Sequence, residues 1–200
     1  MGIIIGLTGG IASGKSTVST ILKERQFTII DADVAARKVA QPGEEAYNEI
    51  VKEFGSEILL ANQEIDRQML GEVIFHDEEK RRKLNSIVHP AVRKEMLKDK
   101  EEAIENGKNT IFMDIPLLFE SNLSWMVEKV IVVYVDQETQ LSRLMKRNYL
   151  SEEEANARIA SQMSLEDKVE KADAIINNIF SLERTEEQVK ELISSWGLSP

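Results

Sequence analysis

Short apolar runs and helix-spaced apolar stripes alternate along this chain. Ile3–Thr8, Phe27–Asp31, Thr110–Pro116 and Lys129–Asp136 are rich in Ile and Val, apolar at nearly every position or at every second one, and predict buried strands. A shorter run, Ala172–Asn178, predicts a fifth strand. Between the first two strands, Val18, Ile21 and Leu22 mark the apolar face of a helix over Lys15–Arg25. Strand, helix and strand in so short a span form a right-handed parallel crossover unit.

From Val34 to about Asn106 the pattern is mostly helical, broken at Pro42-Gly43 and by a loop within Ser56–Asp66. Over His89–Asn106 a proline stands near the expected helix start and Gly107 just past its end, the usual asymmetry. Thr139–Asn148 and Ser151–Gln162 are also expected helices, the second opened by Ser151 with Glu154 three residues on. Ser181–Trp196 closes the chain as an amphipathic helix, and Trp125 and Trp196 are expected to pack on apolar faces. The expected architecture is one α/β domain whose five-stranded parallel sheet carries helices on both faces. Its core covers about 1–33, 107–142 and 173–200, with a helical insertion over 34–106 and a charged helical segment over 143–172.

The turn after the first strand carries candidate chemistry. Gly9-x4-Gly14-Lys15-Ser16 is a phosphate-cradling loop, set between an apolar strand and an apolar-periodic helix. Backbone N–H groups over Gly10, Ile11, Ala12, Ser13, Gly14 and Thr17 would face phosphate oxygens. Lys15 would reach the β- and γ-phosphates of ATP, and Ser16 would offer its hydroxyl oxygen to Mg²⁺. This places the chain among the P-loop NTPases, with their three-layer fold. Neither Asn-Lys-x-Asp nor Asp-x-x-Gly occurs, so a GTPase switch is not expected. The length fits a small-molecule kinase with an acceptor-binding insertion and a lid.

Further candidates fall at strand ends, where open α/β sheets place their ligands. Asp33, in the Asp31-Ala32-Asp33 run, can accept or orient the proton of an attacking hydroxyl, while Asp31 either shares that role or caps the next helix. Asp114 can hold Mg²⁺ through water or serve a cap or turn. Arg143 and Arg147, four apart on one helix face, suit either solvated ion pairs or a phosphoryl-transfer site. The run Asp77–Lys83 reads as a solvated helix face or as help in holding an acceptor's phosphates.

Composition narrows the classes further. Of the 200 residues 42% are apolar and 30% charged, as in an ordinary folded domain. No cysteine occurs, which excludes thiolate catalysis, disulfides and Cys-ligated metals. A formal net charge of −10 argues against broad nucleic-acid or anionic-membrane binding, though one local site can still hold a polyanion. No signal peptide, membrane span or myristoylation pattern is seen, so a cytoplasmic protein is expected; a monomer is expected as well, though no sequence feature sets the oligomeric state.

Taken in order, "GLTGGIASGKS", "DAD" followed by "ARKVAQPG", "FGSEIL", "IDR", "VHPAV", "PLLFES", "QLSRLMKR" and "ADAIINN" resemble the landmarks of the dephospho-coenzyme A kinase family, from Gly6 to Asn178. That resemblance implies a P-loop kinase core with a helical CoA-binding insertion and a lid. It also implies Mg²⁺-dependent transfer of the ATP γ-phosphoryl group to the ribose 3′-hydroxyl of dephospho-CoA. By the same resemblance Lys15, Asp33, Arg143 and Arg147 are catalytic. Thr8, Arg67, His89, Leu117 and Leu118 line the acceptor side, and Asn178 lies near the adenine. The chain departs from the family at Ala61-Asn62-Gln63, where Asp-Gly is common. Other small-molecule P-loop kinases, acting on nucleosides, nucleotides or shikimate, remain open on the core motifs alone, as does a nucleotide-binding regulator without turnover.

Overall fold

The computed structural model describes residues 2–75 and 77–200. β1 (Ile3–Gly9) lies at the centre of the sheet, as its unbroken apolar run requires: Ile4 to Gly9 are all buried. It pairs in parallel with β3 (Thr110–Asp114) on one side and β4 (Lys129–Tyr134) on the other. With β2 (Thr28–Asp31) and β5 (Ala174–Asn177) the strand order is β2-β3-β1-β4-β5. The register sets Leu7 beside Asp114 and Gly9 beside Val133, so the strands' carboxyl ends gather at one edge.

Side chains leave β1 on alternate faces. Ile5 and Leu7 join Phe112, Ile131 and Val133 against Val18, Ile21 and Leu22 of α1 (Lys15–Glu24) and Val189 of α9 (Leu182–Ser195). Phe112 is 0% exposed and meets the edge of Phe27 with ring centroids 5.4 Å apart. Truncating such a ring to alanine costs about 3–5 kcal/mol. On the opposite face Gly6 leaves room for Leu118 and Val127, whose carbons would lie 3.0 and 3.2 Å from any added Cβ. Trp196 packs at the rim of the first cluster with the Lys129 ammonium 4.2 Å from its ring centroid. Trp125 is the exception to expectation at 66% exposed. It sits in a single 3₁₀ turn, Ser124–Met126, that buries Met126 instead.

The chain divides into two compact units, one of residues up to Ile30 with Glu102–Pro200, the other Asp31–Glu101. The second holds α2 (Ala32–Val39), α3 (Glu45–Phe54), α4 (Arg67–Phe75) and most of α5 (Glu78–Glu105). Its own core is Ile50, Ile58 and Leu70, flanked by Leu84, Ile87 and Val88. The expected helix start at Pro90 is wrong. α5 begins at Glu78, where the Asp77 carboxylate accepts the Lys80 N–H at 3.0 Å, and runs through Pro90. An interior proline forfeits one backbone hydrogen bond and costs about 3 kcal/mol. Apolar anchors on both sides, Ile87 and Val88 before it and Met96 after it, hold the helix together. The Asp77–Lys83 run is its solvated first turn and a half, as expected.

Three more helices complete the first unit: α6 (Gln137–Asn148), α7 (Glu152–Ala160) and α8 (Leu165–Val169). Ser151 and Glu154 form the reciprocal capping box that their spacing predicts. In the second unit, Leu59 and Ile65 bridge antiparallel around the Ala61-Asn62-Gln63 turn, with Gln63 at φ +67°. The turn therefore takes the shape that glycine would give it, at the cost of a strained non-glycine residue. Gln63→Gly should raise stability by about 0.5–1 kcal/mol, read as a higher urea midpoint with unchanged slope.

Candidate active site

Between β1 and α1 the chain bends through a tight loop whose glycines are set by close approach. A Cβ on Gly9 would lie 2.5 Å from Ser13 Oγ and 2.9 Å from the Val133 carbonyl oxygen. At Gly14, φ +86°, it would lie 2.0 Å from Asn178 Nδ2. Ala12 is also left-handed at φ +60°, a conformation that a non-glycine residue holds only when its surroundings impose it. No side chain caps α1, so the N–H groups of Lys15 and Ser16 and the helix dipole favour an anion at the loop, whereas the Thr17 N–H, also expected on phosphate, goes to the Gly14 carbonyl at 2.9 Å.

Lys15 opens α1 and its ammonium is ion-paired with Asp114 at the end of β3, whose carboxylate is almost fully buried. The cation expected on the phosphates and the carboxylate expected near the metal thus meet at one point. Ser16 follows and is exposed. A phosphate-bound Mg²⁺ takes only one or two protein oxygens, so one hydroxyl and one carboxylate here suit it. Arg143 on α6 donates from Nη2 to the Asn178 carbonyl at 2.9 Å, and its Nη1 lies 3.8 Å from the Cβ position of Gly14. Arg147, one turn on, is exposed and bonds Asn148 Oδ1 at 2.9 Å.

Several expected contacts are placed differently: the N–H groups of Ile11 and Ser13, expected on phosphate, go instead to Gln162 Oε1 at 2.8 Å and to the Gly10 carbonyl at 3.1 Å. Asn178 is buried under the loop: Nδ2 donates to the Ser13 carbonyl at 2.9 Å, and Oδ1 accepts from Thr185 Oγ1 at 2.9 Å. It supports the loop where a contact to the adenine was expected. Thr8 points into the sheet's second face, fully buried, with its hydroxyl donating to the Pro116 carbonyl at 3.0 Å. Leu118 is 0% exposed because it fills the space over Gly6, whereas Leu117 is 41% exposed and open to a ligand. Sequence reasoning missed Lys168. It is 0% exposed, with its ammonium on the carbonyls of Gly9 and Pro116 and on Glu120 Oε1. Its position in a charged stretch resembles any solvated lysine, so no signal in the sequence singles it out.

In the second unit, Asp31 is the N-cap of α2, its Oδ1 accepting from the N–H groups of Asp33 at 2.8 Å and Val34 at 3.3 Å. The capping role falls to Asp31, and the exposed Asp33 carboxylate is left for other work. Arg67, exposed at the start of α4, lines an open groove of about 370 Å³ with Gln68, Gly71, Glu72 and Phe75. His89 stands on α5 one turn before Arg93. Partial burial first, and the Arg93 charge second, hold its imidazole below the usual range.

A loop that offers N–H groups to phosphate, with a lysine and a strand-end carboxylate at its mouth, on a sheet of this order, defines a P-loop kinase. A family model described as "CoaE: Dephospho-CoA kinase" matches residues 3–183. The chain belongs to the dephospho-CoA kinase family, and the activity that goes with membership is ATP-dependent phosphorylation of dephospho-CoA in coenzyme A biosynthesis. A relative named dephospho-CoA kinase from Oceanobacillus iheyensis is 54% identical over 199 residues, covering 100% of both chains. The solved dephospho-CoA kinase from Campylobacter jejuni is 34% identical, with a TM-score of 0.76 and 98% of each chain covered. The shikimate kinase from Aquifex aeolicus, at 17% identity and a TM-score of 0.54 over 99% of this chain and 100% of its own, shares the fold alone.

His89 generates one prediction. Because its charged form is disfavoured in the fold, the ring should titrate with a midpoint below 6.5, followed by proton NMR. Its contribution to stability is present above the unfolded-chain value and is lost as pH falls through the folded one. Arg93→Ala should raise the midpoint only part of the way, because burial is the larger cause.

Proposed function

We propose that the first unit grips ATP while residues of the second bind and orient dephospho-CoA through its ribose 3′-hydroxyl. The observation that carries the reading is the Lys15–Asp114 pair at the mouth of the loop. Lys15 then neutralises the β- and γ-phosphates; Ser16, with Asp114 through water, would hold Mg²⁺, which would supply charge neutralisation of the phosphates when bound. Arg143, beside Gly14, meets charge that builds on the transferring group, and Arg147 joins it as the segment after α6 closes. Asp33 orients the attacking hydroxyl and accepts its proton late, since a loose transition state asks little deprotonation of the nucleophile. Arg67 and His89 supply the second unit's contacts to the acceptor, and Leu117 is the first unit's own exposed apolar contact for it.

The closing part of the expected lid is confined, in this reading, to α7 and the turns around it. From Gln162 onward the segment is fastened to the phosphate loop. No helix among the described residues is long and apolar enough to cross a membrane. We take the protein to work as a monomer in the cytoplasm, without nucleic-acid partners.

Lys15→Ala should leave the fold intact and lower turnover by about 10²-fold or more, since a fixed charge at the transferring group is lost. Normal turnover with normal ATP affinity in that variant sinks the assignment of the loop. Asp33→Asn should lower kcat by roughly 10²–10⁴ with ATP binding unchanged. An effect under about threefold would leave it a spectator. Adenosine and AMP should be much poorer acceptors than dephospho-CoA, because remote binding energy holds the hydroxyl in line. Mass and the phosphorylated ribose position of the product identify the reaction.

A further inference from the structure

Alternate carbonyls of the phosphate loop are each held from outside by a side chain. The Gly9 carbonyl accepts from Lys168 Nζ at 3.3 Å, that of Ile11 from Gln140 Nε2 at 2.8 Å, and that of Ser13 from Asn178 Nδ2 at 2.9 Å. Gln140, Asn178 and Lys168 are all buried. In a trans peptide the C=O and the following N–H point in opposite directions. Drawing these three oxygens outward therefore turns the N–H groups of Gly10, Ala12 and Gly14 the other way, toward the concave side of the loop.

The remaining amides of the loop are committed elsewhere. Ile11 N–H donates outward to Gln162 Oε1 at 2.8 Å, and Ser13 N–H to the Gly10 carbonyl at 3.1 Å. The alternation is complete from Gly9 to Gly14: one peptide presents its N–H, and the next is bonded within the protein. It also explains why Ala12 stays left-handed at φ +60°, since its neighbouring peptides are fixed on both sides. Lys168 carries the largest share of the frame. Its three ammonium protons go to Gly9, to Pro116 just past Asp114, and to Glu120, which also accepts the Met163 N–H at 3.1 Å.

We propose that Gln140, Asn178 and Lys168 are positioning residues for phosphoryl transfer: by restraining the Ile11 and Ser13 carbonyls, Gln140 and Asn178 aim the Ala12 and Gly14 amides at the nucleotide's phosphates, and Lys168 fixes the Gly9–Gly10 peptide that leads into them. The proposal rests on the loop being the phosphate site, and goes beyond it by naming what sets the loop's polarity. None of the three needs to touch the nucleotide.

Gln140→Met keeps length and neutrality but removes the donor. It should raise KM for ATP by about tenfold, with the KM for dephospho-CoA changing less than about threefold. Lys168→Met leaves Glu120 without its partner and can unfold the chain, so it is paired with Glu120→Gln. The double variant should recover a cooperative melt yet keep the raised KM for ATP. A merely structural role predicts that both KM values return with stability. A folded Gln140→Met or double variant with wild-type KM for ATP overturns the proposal.

Wild-type protein gives a second reading that needs no variant. With Mg-ADP bound, ¹⁵N–³¹P coupling across hydrogen bonds should appear at Ala12 and Gly14 and not at Ile11 or Ser13. Coupling at Ile11 or Ser13 instead would overturn the alternation while leaving the loop a phosphate site. Absence of coupling anywhere in the loop, together with normal ADP affinity in Lys15→Ala, would remove the underlying reading as well.

Discussion

A backbone that turns N–H groups toward an anion must turn carbonyls away from it, and carbonyls turned into a protein interior need donors. This constraint organises the whole first unit. An unsatisfied buried carbonyl costs about 1–3 kcal/mol, so a loop with three of them facing inward would not keep its shape unaided. β4 and β5 deliver the means: α6 follows β4 and carries Gln140, Asn178 follows β5, and Lys168 lies on α8, which packs against β4. The sheet order matters for the same reason. With β4 and β5 on one side of β1, the elements that follow them reach the loop that ends it, while β3 on the other side brings Asp114 to Lys15.

The same loop reconciles an acidic protein with a polyanionic ligand. A net charge of −10 repels ATP at long range, but at 0.15 M salt the screening length is about 8 Å. Within that distance, in the proposed reading, the oriented amides, Lys15 and Arg143 set the field. Asp114 tempers Lys15 by pairing with it, which orders the long side chain before a phosphate arrives and reduces what binding must freeze. Arg143 bonds a neutral carbonyl, so that hydrogen bond leaves its charge uncancelled.

The strands, the phosphate loop and the capping box were legible because each rests on a local pattern: an apolar run, glycines at fixed spacing, Ser151 with Glu154. Trp125 and Pro90 misled because tertiary packing overrode local preference. Met126 takes the buried place in its turn, and Ile87, Val88 and Met96 hold a helix through a proline. Thr8, Leu118 and Asn178 are buried on Pro116, over Gly6 and under the phosphate loop, since a motif gives proximity in sequence and not the direction of a side chain. Lys168 was hidden altogether. Its role depends on a carbonyl 159 positions away in the chain, which no window of sequence contains.

The division of the carboxylates shows how little sequence separates a group spent on the backbone from one left exposed. Asp31 and Asp33 stand two apart, yet the first spends its oxygen on the amides that start α2, and the second stays exposed. The cap is what makes the second carboxylate available: it starts the helix at Ala32, one residue past the strand, so Asp33 projects from a first turn that is already rigid. A carboxylate on a free loop would have to be ordered each time an acceptor bound, at about 0.5–1.5 kcal/mol per side chain. A group fixed by a capped helix gives that orientation in advance. The two units are built in the same way, with one set of side chains satisfying the backbone so that others, Lys15 and Arg143 in the first and Asp33 in the second, are left to the roles proposed for them.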